Sequence, residues 1–224
     1  MTAWSPTSTD ALLVIDMQRD FLPGGALAVS GGDAILPGIN SAASRFEHVI
    51  LTQDWHPRGH ISFASTHQGR VPWAQTPALT PEGRLILHTP YGAQDLWPDH
   101  CVQGTAGAEL HPGLAIPHAA LILRKGLHPE IDSYSAFMEN DHKTPTGLAG
   151  YLRERGITRL FFCGLAYDFC VGFSAVAAAR LGFESIVIED LARAIDLSNT
   201  VRDTNAAFAE TGVARIRSAA LIEG

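Results

Sequence analysis

Short apolar runs rich in Val, Ile, Leu and Phe recur along the chain and predict the strands of a buried sheet. These runs are continuous rather than alternating, which is typical of strands that are covered on both faces. The predicted strands span residues 11–16, 48–53, 119–124, 159–164, 185–190 and 212–217. Helical patterns lie between most of them, over residues 33–46, 146–155, 170–182 and 199–211. This alternation predicts a single-domain α/β fold with a doubly wound, Rossmann-like, mostly parallel six-stranded sheet and helices on both faces.

One long segment interrupts the alternation of strands and helices. From Asp54 to about Pro117 the chain is crowded with Pro, Gly, His and Trp and shows no strong period. A connection of this length in a compact domain is usually functional. We therefore predict a long functional insertion within one domain that spans residues 1–224, preceded by a loose tail over residues 1–9.

Composition and charge narrow the class of protein. The chain has 224 residues, of which 46% are hydrophobic and 17% are charged, and its net charge of -7 argues against binding to nucleic acid. The first residues, "MTAWSPTSTD", lack the basic and apolar regions of a signal peptide, and no apolar run is long enough to span a membrane. Three cysteines suit a reducing compartment. We therefore predict a cytoplasmic protein without nucleic-acid or membrane partners.

Chemically active side chains follow several of the predicted strands. In an open parallel sheet the active site gathers at the carboxyl ends of the strands. Asp16 ends the first predicted strand, Asp54 and His56 follow the second, and Lys125 follows the third. The turn "GLAYDFC", which contains Cys170, follows the fourth. We therefore expect these side chains to converge on one edge of the sheet.

Cys170 is a candidate nucleophile because a predicted helix begins at its position. The unpaired N–H groups and the positive end of the helix dipole favour a thiolate there, although many free cysteines are simply small buried residues. A cysteine nucleophile also needs a proton acceptor and a partner for its charge. Asp16 and Lys125 are the candidates at neighbouring strand ends, with a turn residue and a solvated lysine as the alternative interpretations.

The segments "QDWHPRGHISF" and "WPDHC" carry a possible set of metal ligands. Asp54 and His56 lie at positions i and i+2 of an extended segment, and His60 follows four residues later. His100 and Cys101 are further candidates. A carboxylate with imidazoles suits zinc, iron(II) or manganese, with open positions for water or a ligand. Histidines also occur in turns and at surfaces, so the spacing alone leaves both interpretations open.

Five blocks of sequence together resemble the nicotinamidases (pyrazinamidases) of the isochorismatase-like cysteine hydrolase superfamily. The blocks are "LLVIDMQRDFLPGGALAV", "QDWHPRGHISFAS", "WPDHCVQGTAGAELHP", "RKG" with "IDSYSAF", and "GLAYDFCV", in family order from about residue 11 to residue 190. The resemblance implies a metal-dependent cysteine amidohydrolase that converts nicotinamide to nicotinate and ammonia through a thioester, in NAD salvage, and that also accepts pyrazinamide. It further implies a homo-oligomer, one divalent ion, most often zinc with iron or manganese as alternatives, and no organic cofactor.

The resemblance also implies a catalytic triad of Asp16, Lys125 and Cys170. The family carries a cis peptide bond just before the nucleophile turn, which corresponds here to Leu165-Ala166. Its geometry would aim the backbone N–H of Ala166, together with that of Cys170, at the oxyanion that develops during the reaction.

For the metal, the resemblance implies Asp54, His56 and His100 as ligands, which makes the long insertion metal-binding. Some members add a further histidine, and His60 stands at the position that would supply it. Cys101 is expected to point away from the ion.

The resemblance implies a substrate pocket whose walls are mainly aromatic. The carried-over residues are Phe21, Leu27, Trp97, Tyr134 and Phe169. The alternative for each is ordinary core packing. Tyr167 departs from the family pattern, which has a small hydroxyl residue at this position. We therefore expect the phenol to change the wall behind the nucleophile.

Three other functions are compatible with parts of the pattern. A cysteine amidohydrolase acting on an N-carbamoyl or ureido compound would share the triad but has no obvious need for an ion that faces its substrate. An isochorismatase proper would lack the nucleophile Cys170. A catalytically silent, metal-stabilised binding protein would have no reason to keep Asp16, Lys125 and Cys170 together.

Overall fold

The chain forms one large sheet flanked by helices, with a small hairpin beside it. A computed structural model describes residues 4–67 and 85–222. The sequence-based expectations for residues 1–3, 68–84 and 223–224 lie outside the described residues. The described strands are β1 Asp10–Ile15, β2 His48–Asp54, β3 Leu85–Thr89, β4 Gly92–Leu96, β5 Leu121–Lys125, β6 Arg159–Leu165, β7 Glu184–Arg193 and β8 Ala214–Ile216. The described α-helices are α1 Leu36–Ala43, α2 Leu148–Glu154, α3 Gly172–Arg180 and α4 Thr200–Thr211.

The main sheet has six strands in the order β5-β2-β1-β6-β7-β8, and every neighbouring pair is parallel. The predicted fold class is therefore confirmed. The chain begins in the centre at β1, moves outward to β2 and β5, and then returns to the other side of β1 at β6. This reversal makes the carboxyl ends of β1 and β6 a topological switch point, where open α/β sheets form their binding crevices.

The continuous apolar runs arise because each strand feeds two hydrophobic cores. In β1, Leu12 and Val14 pack into one core, whereas Leu13 and Ile15 pack into the other. Helix α1 covers the first core, and α2, α3 and α4 contribute to the second. None of the described helices combines the length and apolar character needed to cross a bilayer.

Several element boundaries differ from the sequence-based prediction. Strand β5 lies at the edge of the sheet and continues through Lys125. Because of this edge position, Ile122 in β5 is 51% exposed. Strand β7 extends to Arg193, three residues beyond the predicted end, and β8 is shorter than predicted. Helix α1 is also shorter, because its first turn is a 3-10 helix over Asp33–Ile35.

The hairpin formed by β3 and β4 was not predicted. The two strands are antiparallel and lie within the insertion, for which the sequence shows no strong period. Alternation is weak because β4 has the sequence "GAQDL", with a glycine and two polar residues in five positions. The hairpin leads directly into Trp97, which bridges to Phe63. It thereby closes the insertion over the sheet edge.

The prediction of a loose N-terminal tail is wrong for residues 4–9. The Trp4 N–H donates to the carbonyl of Ala220 over 2.8 Å, and the Trp4 carbonyl accepts the N–H of Ile222 over 3.0 Å. The Trp4 ring also packs edge-on against Phe161, with ring centroids 6.0 Å apart. An indole buries a large apolar area, so these contacts fasten the segment to the sheet.

Gly164 allows β6 to approach β1 at the switch point. Its φ of +110° lies in the region that favours glycine, and a Cβ there would lie 2.1 Å from the carbonyl oxygen of Ile15. The Leu165-Ala166 peptide bond that follows is cis, as the family resemblance implied.

We predict that Gly164→Ala lowers the free energy of unfolding by about 3 kcal/mol, because strained backbone and a backbone clash act together. Gly150→Ala is the control, since a Cβ at this exposed position in α2 meets nothing within 4 Å. It should stabilise the protein by about 0.5 kcal/mol through improved helix propensity. Urea unfolding of both variants checks the difference, and equal stabilities would contradict this account of Gly164.

Candidate active site

The side chains expected at the strand ends converge at one edge of the sheet. Asp16 directly follows β1, and Cys170 follows β6, the neighbouring strand. Asp54 and Lys125 are the last residues of β2 and β5 and are direct register partners. The parallel sheet therefore places two carboxylates, an ammonium and a thiol side by side.

Lys125 is the centre of this group. Its Nζ lies 2.9 Å from Asp16 Oδ2, 2.5 Å from Asp54 Oδ1 and 3.3 Å from Cys170 Sγ. It also donates to the carbonyl of Ser133 over 2.9 Å. Burial would lower the pKa of Lys125, but the two carboxylates outweigh it and raise the pKa well above its usual value. Lys125 is therefore a permanent ammonium that holds the acid and thiol groups together.

Asp16 presents one occupied and one open carboxylate oxygen. Its Oδ1 accepts the hydroxyl of Thr52 over 2.6 Å, and its backbone N–H donates to the same hydroxyl oxygen over 3.1 Å. Its Oδ2 forms the ion pair with Lys125 but accepts no hydrogen bond from the described residues. Burial raises the pKa of Asp16, while Lys125 acts in the opposite direction. These features suit a carboxylate that accepts a proton.

Cys170 lies in a turn, Tyr167–Val171, that precedes α3 and is kinked at Phe169, whose φ and ψ of -127° and -105° are not helical. The sequence placed its sulfur in the first turn of the helix itself, so this local expectation is corrected. Burial raises the pKa of the Cys170 thiol well above its usual value, although the nearby Lys125 lowers it. One carboxylate oxygen of Asp16 lies within 4.8 Å of Cys170 Sγ. The resting group is therefore a thiol with a proton acceptor and a cation beside it.

Asp54, His56 and His100 form a compact group of metal donors. Their donor atoms all lie within 4.8 Å of one another. Asp54 Oδ2 is 3.6 Å from His56 Nε2 and 3.9 Å from His100 Nε2. Ligands about 2.1 Å from one zinc ion are separated by roughly 3–4 Å. The donor types and spacing therefore fit a divalent metal ion.

The hydrogen bonds of both histidines direct one nitrogen toward Asp54. His56 Nδ1 donates to the carbonyl of Gly126 over 3.0 Å, and His100 Nδ1 donates to the carbonyl of Pro98 over 2.8 Å. Each Nε2 then carries a lone pair that faces the Asp54 carboxylate. Carbonyl partners of this kind commonly orient histidine ligands in metal sites. Gly126 is required here, because a Cβ would lie 2.4 Å from the His56 ring.

His60 has a different environment. Its ring stacks on His56, with centroids 4.2 Å apart, but its Nδ1 lies 2.7 Å from Ser62 Oγ and its Nε2 lies 3.3 Å from the carbonyl of Ile131. Burial lowers the pKa of His60 to about 4, which keeps the ring neutral. Both nitrogens therefore have protein partners. Cys101 is fully buried in the apolar core and is absent from the clusters of donor atoms in the described residues.

A cavity of about 340 Å³ opens at this edge of the sheet. The rings of Trp97, Tyr134 and Phe169 meet edge-to-face, with centroid separations of 5.0–6.5 Å. The described lining residues are Phe21, Leu27, Asp54, His56, Trp97, His100, Asp132, Tyr134, Ala166, Phe169, Cys170 and Ile195. The aromatic rings, the metal donors and the Cys170 thiol thus line the same cavity.

Tyr167 does not line this cavity. Its ring packs edge-to-face on Phe208 of α4, with centroids 5.7 Å apart, and its hydroxyl donates to Asn205 Oδ1 over 2.6 Å. The expected change in the wall behind the nucleophile is therefore wrong, because the phenol points to the opposite side of the turn.

Several residues that shape the site were missed from the sequence. Asp132 and Ile195 line the cavity, and Asp132 Oδ2 accepts the Gln94 amide over 2.8 Å. Gln18 pairs with the backbone of Asp54: its Oε1 accepts the Asp54 N–H over 2.7 Å, and its Nε2 donates to the Asp54 carbonyl over 2.8 Å. Gln18 is fully buried, but it stands among Asp16, Arg19 and Asp20 in a polar stretch, so no local signal identified it.

The fold and the site together define a hydrolytic enzyme of the α/β class whose site contains a group of donor atoms suited to a metal ion. A family model described as the isochorismatase domain matches residues 10–219. The chain belongs to this family. It is 50% identical over 208 residues to a nicotinamidase of Acinetobacter baylyi, which corresponds to 93% of this chain and 92% of that protein.

Solved structures agree with this assignment. A nicotinamidase/pyrazinamidase of Acinetobacter baumanii has a TM-score of 0.89 at 49% identity, with 96% of this chain and 99% of that chain covered. PnC1 from L. infantum, in complex with nicotinate, has a TM-score of 0.81 at 42% identity, and 98% of each chain is covered. A pyrazinamidase of Pyrococcus horikoshii, in complex with zinc, has a TM-score of 0.71 at 33% identity, with 93% and 99% covered. The zinc-bound neighbour and the donor cluster both support a metal ion.

His60 also belongs to a second group of donor atoms, with His56 and Asp132. We predict that His60→Phe keeps the wild-type metal content, because the ring stack on His56 is retained and both His60 nitrogens have hydrogen-bond partners in the protein. His100→Phe, the matched control, should lose most of the metal because it removes a donor from the cluster. Elemental analysis of dialysed, folded protein after zinc loading measures both. Loss of metal in His60→Phe at a retained fold would instead make His60 a ligand.

Proposed function

We propose that this protein is a nicotinamidase, a metal-dependent cysteine amidohydrolase that converts nicotinamide to nicotinate and ammonia and also accepts pyrazinamide. The observation that carries the proposal is that Cys170, which contacts Lys125 and lies near Asp16, lines the same small aromatic cavity as the metal donors. The names of the relatives support this choice, since one is a nicotinamidase and another structure holds nicotinate. A planar ring fits between aromatic walls better than a flexible ureido chain does.

Substrate binding uses the aromatic walls and the metal group. The rings of Trp97 and Phe169 touch each other edge-to-face and form an aromatic wall against which a flat heteroaromatic ring packs, with its carboxamide beside Cys170. Asp54, His56 and His100 would hold the divalent ion, for which we propose zinc. Such an ion would supply Lewis-acid chemistry suited to a substrate with a basic ring nitrogen.

The first half of the reaction forms a thioester on Cys170. Asp16 accepts the thiol proton through its open oxygen, and the sulfur attacks the carboxamide carbon. The backbone N–H groups of Ala166 and Cys170 stabilise the oxyanion. When the C–N bond breaks, Asp16 returns the proton to the leaving nitrogen, and ammonia departs.

The second half releases the product. Asp16, ionised again, takes a proton from a water molecule that attacks the thioester carbon. The C–S bond breaks, the Cys170 sulfur regains a proton from Asp16, and the nicotinic acid formed loses its own proton to solvent and leaves as nicotinate. Lys125 remains protonated throughout and offsets the negative charge as it moves between the carboxylate and the sulfur.

We predict that Cys170→Ala lowers the kcat for ammonia release from nicotinamide by about 1,000-fold or more, because the acceptor of the acyl group is lost. Cys163→Ala is the control: this cysteine is equally buried but lies inside β6 and away from the cavity lining. It should retain most of the activity. Nearly unchanged turnover in Cys170→Ala would refute the covalent mechanism.

We predict that Thr52→Val moves the acidic limb of the kcat/KM profile to higher pH. The Thr52 hydroxyl stabilises the charged form of Asp16 and so lowers its pKa. Without this bond the pKa rises, and the ionised base is lost at a higher pH as the solution is acidified. The shift should be about one pH unit, the equivalent of one hydrogen bond to a charged group. Thr52→Ser keeps the hydroxyl and should keep the wild-type limb, whereas the same limb in both variants would argue against Asp16 as the base.

A further inference from the structure

The connection between β7 and α4, residues 194–199, supplies one wall of the cavity. Ile195 lines the same space as Cys170 and Phe169 and packs against the core beneath it. An aliphatic side chain at this place limits the room for a bound ring. The position of Ile195 therefore bears on which rings the cavity accepts.

The carboxylate of Asp168 holds this connection. Asp168 is 2% exposed, and its Oδ1 accepts the backbone N–H of Ile195 over 2.9 Å. Its Oδ2 accepts the N–H of Asp196 over 2.7 Å and the hydroxyl of Thr200 over 2.5 Å. Hydrogen bonds to a buried anion are among the stronger ones in proteins. The connection is thus fastened at both ends by one side chain.

The backbone of the connection needs such an external anchor. Asp196, Ser198 and Asn199 have φ values of +58°, +50° and +72°, in the left-handed region that residues other than glycine rarely adopt. Each such residue adds backbone strain. A conformation of this kind persists where surrounding contacts over-determine it, and the Asp168 carboxylate supplies three of these contacts.

Asp168 also belongs to the nucleophile turn Tyr167–Val171, two residues before Cys170. One short turn therefore carries the thiol on one side and the anchor of the opposing wall on the other. A change in the anchor alters the distance between the wall and the thiol without changing the thiol itself.

We propose that Asp168 is a positioning residue that fixes Ile195 and thereby determines which substituents on the substrate ring the enzyme accepts. The inference rests on the proposed nicotinamidase activity. Ile195 sets the selectivity by direct contact with the ring, and Asp168 acts through Ile195.

The test compares kcat/KM for nicotinamide with kcat/KM for each of its ring-methylated analogues. Ile195→Ala should raise kcat/KM for one methylated analogue, relative to kcat/KM for nicotinamide, by about tenfold. This is the effect of one methyl group in an apolar pocket. Asp168→Asn should raise the relative kcat/KM of the same analogue. The Asn side chain accepts hydrogen bonds only at its oxygen, so one side of the present anchor is lost. The variant that combines Asp168→Asn with Ile195→Ala should change the relative kcat/KM no more than Ile195→Ala alone, since the two changes act on one wall.

Two further comparisons separate positioning from general stability. Asp190→Asn is the matched control, because the Asp190 carboxylate also accepts a backbone N–H and a hydroxyl, both from Ser218, which lies outside the cavity lining. It should lower the melting temperature and leave the preference unchanged. If Asp168→Asn does not fold, Thr200→Val removes one donor and should shift the preference in the same direction, while Thr200→Ser restores it.

The outcomes distinguish the inference from the proposed function. Wild-type enzyme that releases no ammonia from nicotinamide would refute the proposed function. Active wild type, together with Asp168→Asn and Thr200→Val variants that keep the wild-type preference among the analogues, would overturn the role of Asp168 alone. Independent, additive effects of Asp168→Asn and Ile195→Ala would also overturn it.

Discussion

The buried ion pairs of Lys125 are the interaction on which the site depends. An ammonium withdrawn from water is strongly destabilising unless anions compensate it closely. Asp16 and Asp54 provide that compensation at 2.9 Å and 2.5 Å from the nitrogen. The parallel register supplies the geometry, because β5, β2 and β1 are neighbours whose carboxyl ends meet. The parallel sheet thus places the charged side chains that the chemistry needs next to one another.

The charge balance of this group also explains why a metal site adjoins it. Two carboxylates around one ammonium leave a net negative charge in the interior, which a bound cation offsets. Asp54 connects the two halves: Oδ1 contacts Lys125, and Oδ2 faces His56 and His100. Burial would raise the pKa of Asp54, but the Lys125 ammonium outweighs it and holds the pKa well below its usual range. Asp54 is therefore ionised, and its carboxylate faces Lys125 with one oxygen and the two histidines with the other.

The sequence predicted the sheet and the location of the site because both depend on local signals. A continuous apolar run that ends in Asp or Lys identifies a strand and the group at its end, and the edge position then follows from the parallel topology. The roles of individual residues rested on the resemblance. The hairpin of β3 and β4 escaped prediction because its polar residues conceal the alternation. Tyr167 was misplaced because its direction depends on the packing of α4, which adjacent residues do not reveal.

The residues that support the site escaped prediction for a common reason. Gln18, Asp20 and Asp168 bind the backbone of segments that are remote in sequence: Asp54, Cys101 and Ile195, respectively. These contacts depend on register and loop path, so no local pattern reports them. Each supported residue carries or adjoins a functional position, since Cys101 follows His100. These supports position Asp54, the segment of His100 and Ile195 through their backbones, without a hydrogen bond to the Asp16 carboxylate or the Cys170 sulfur.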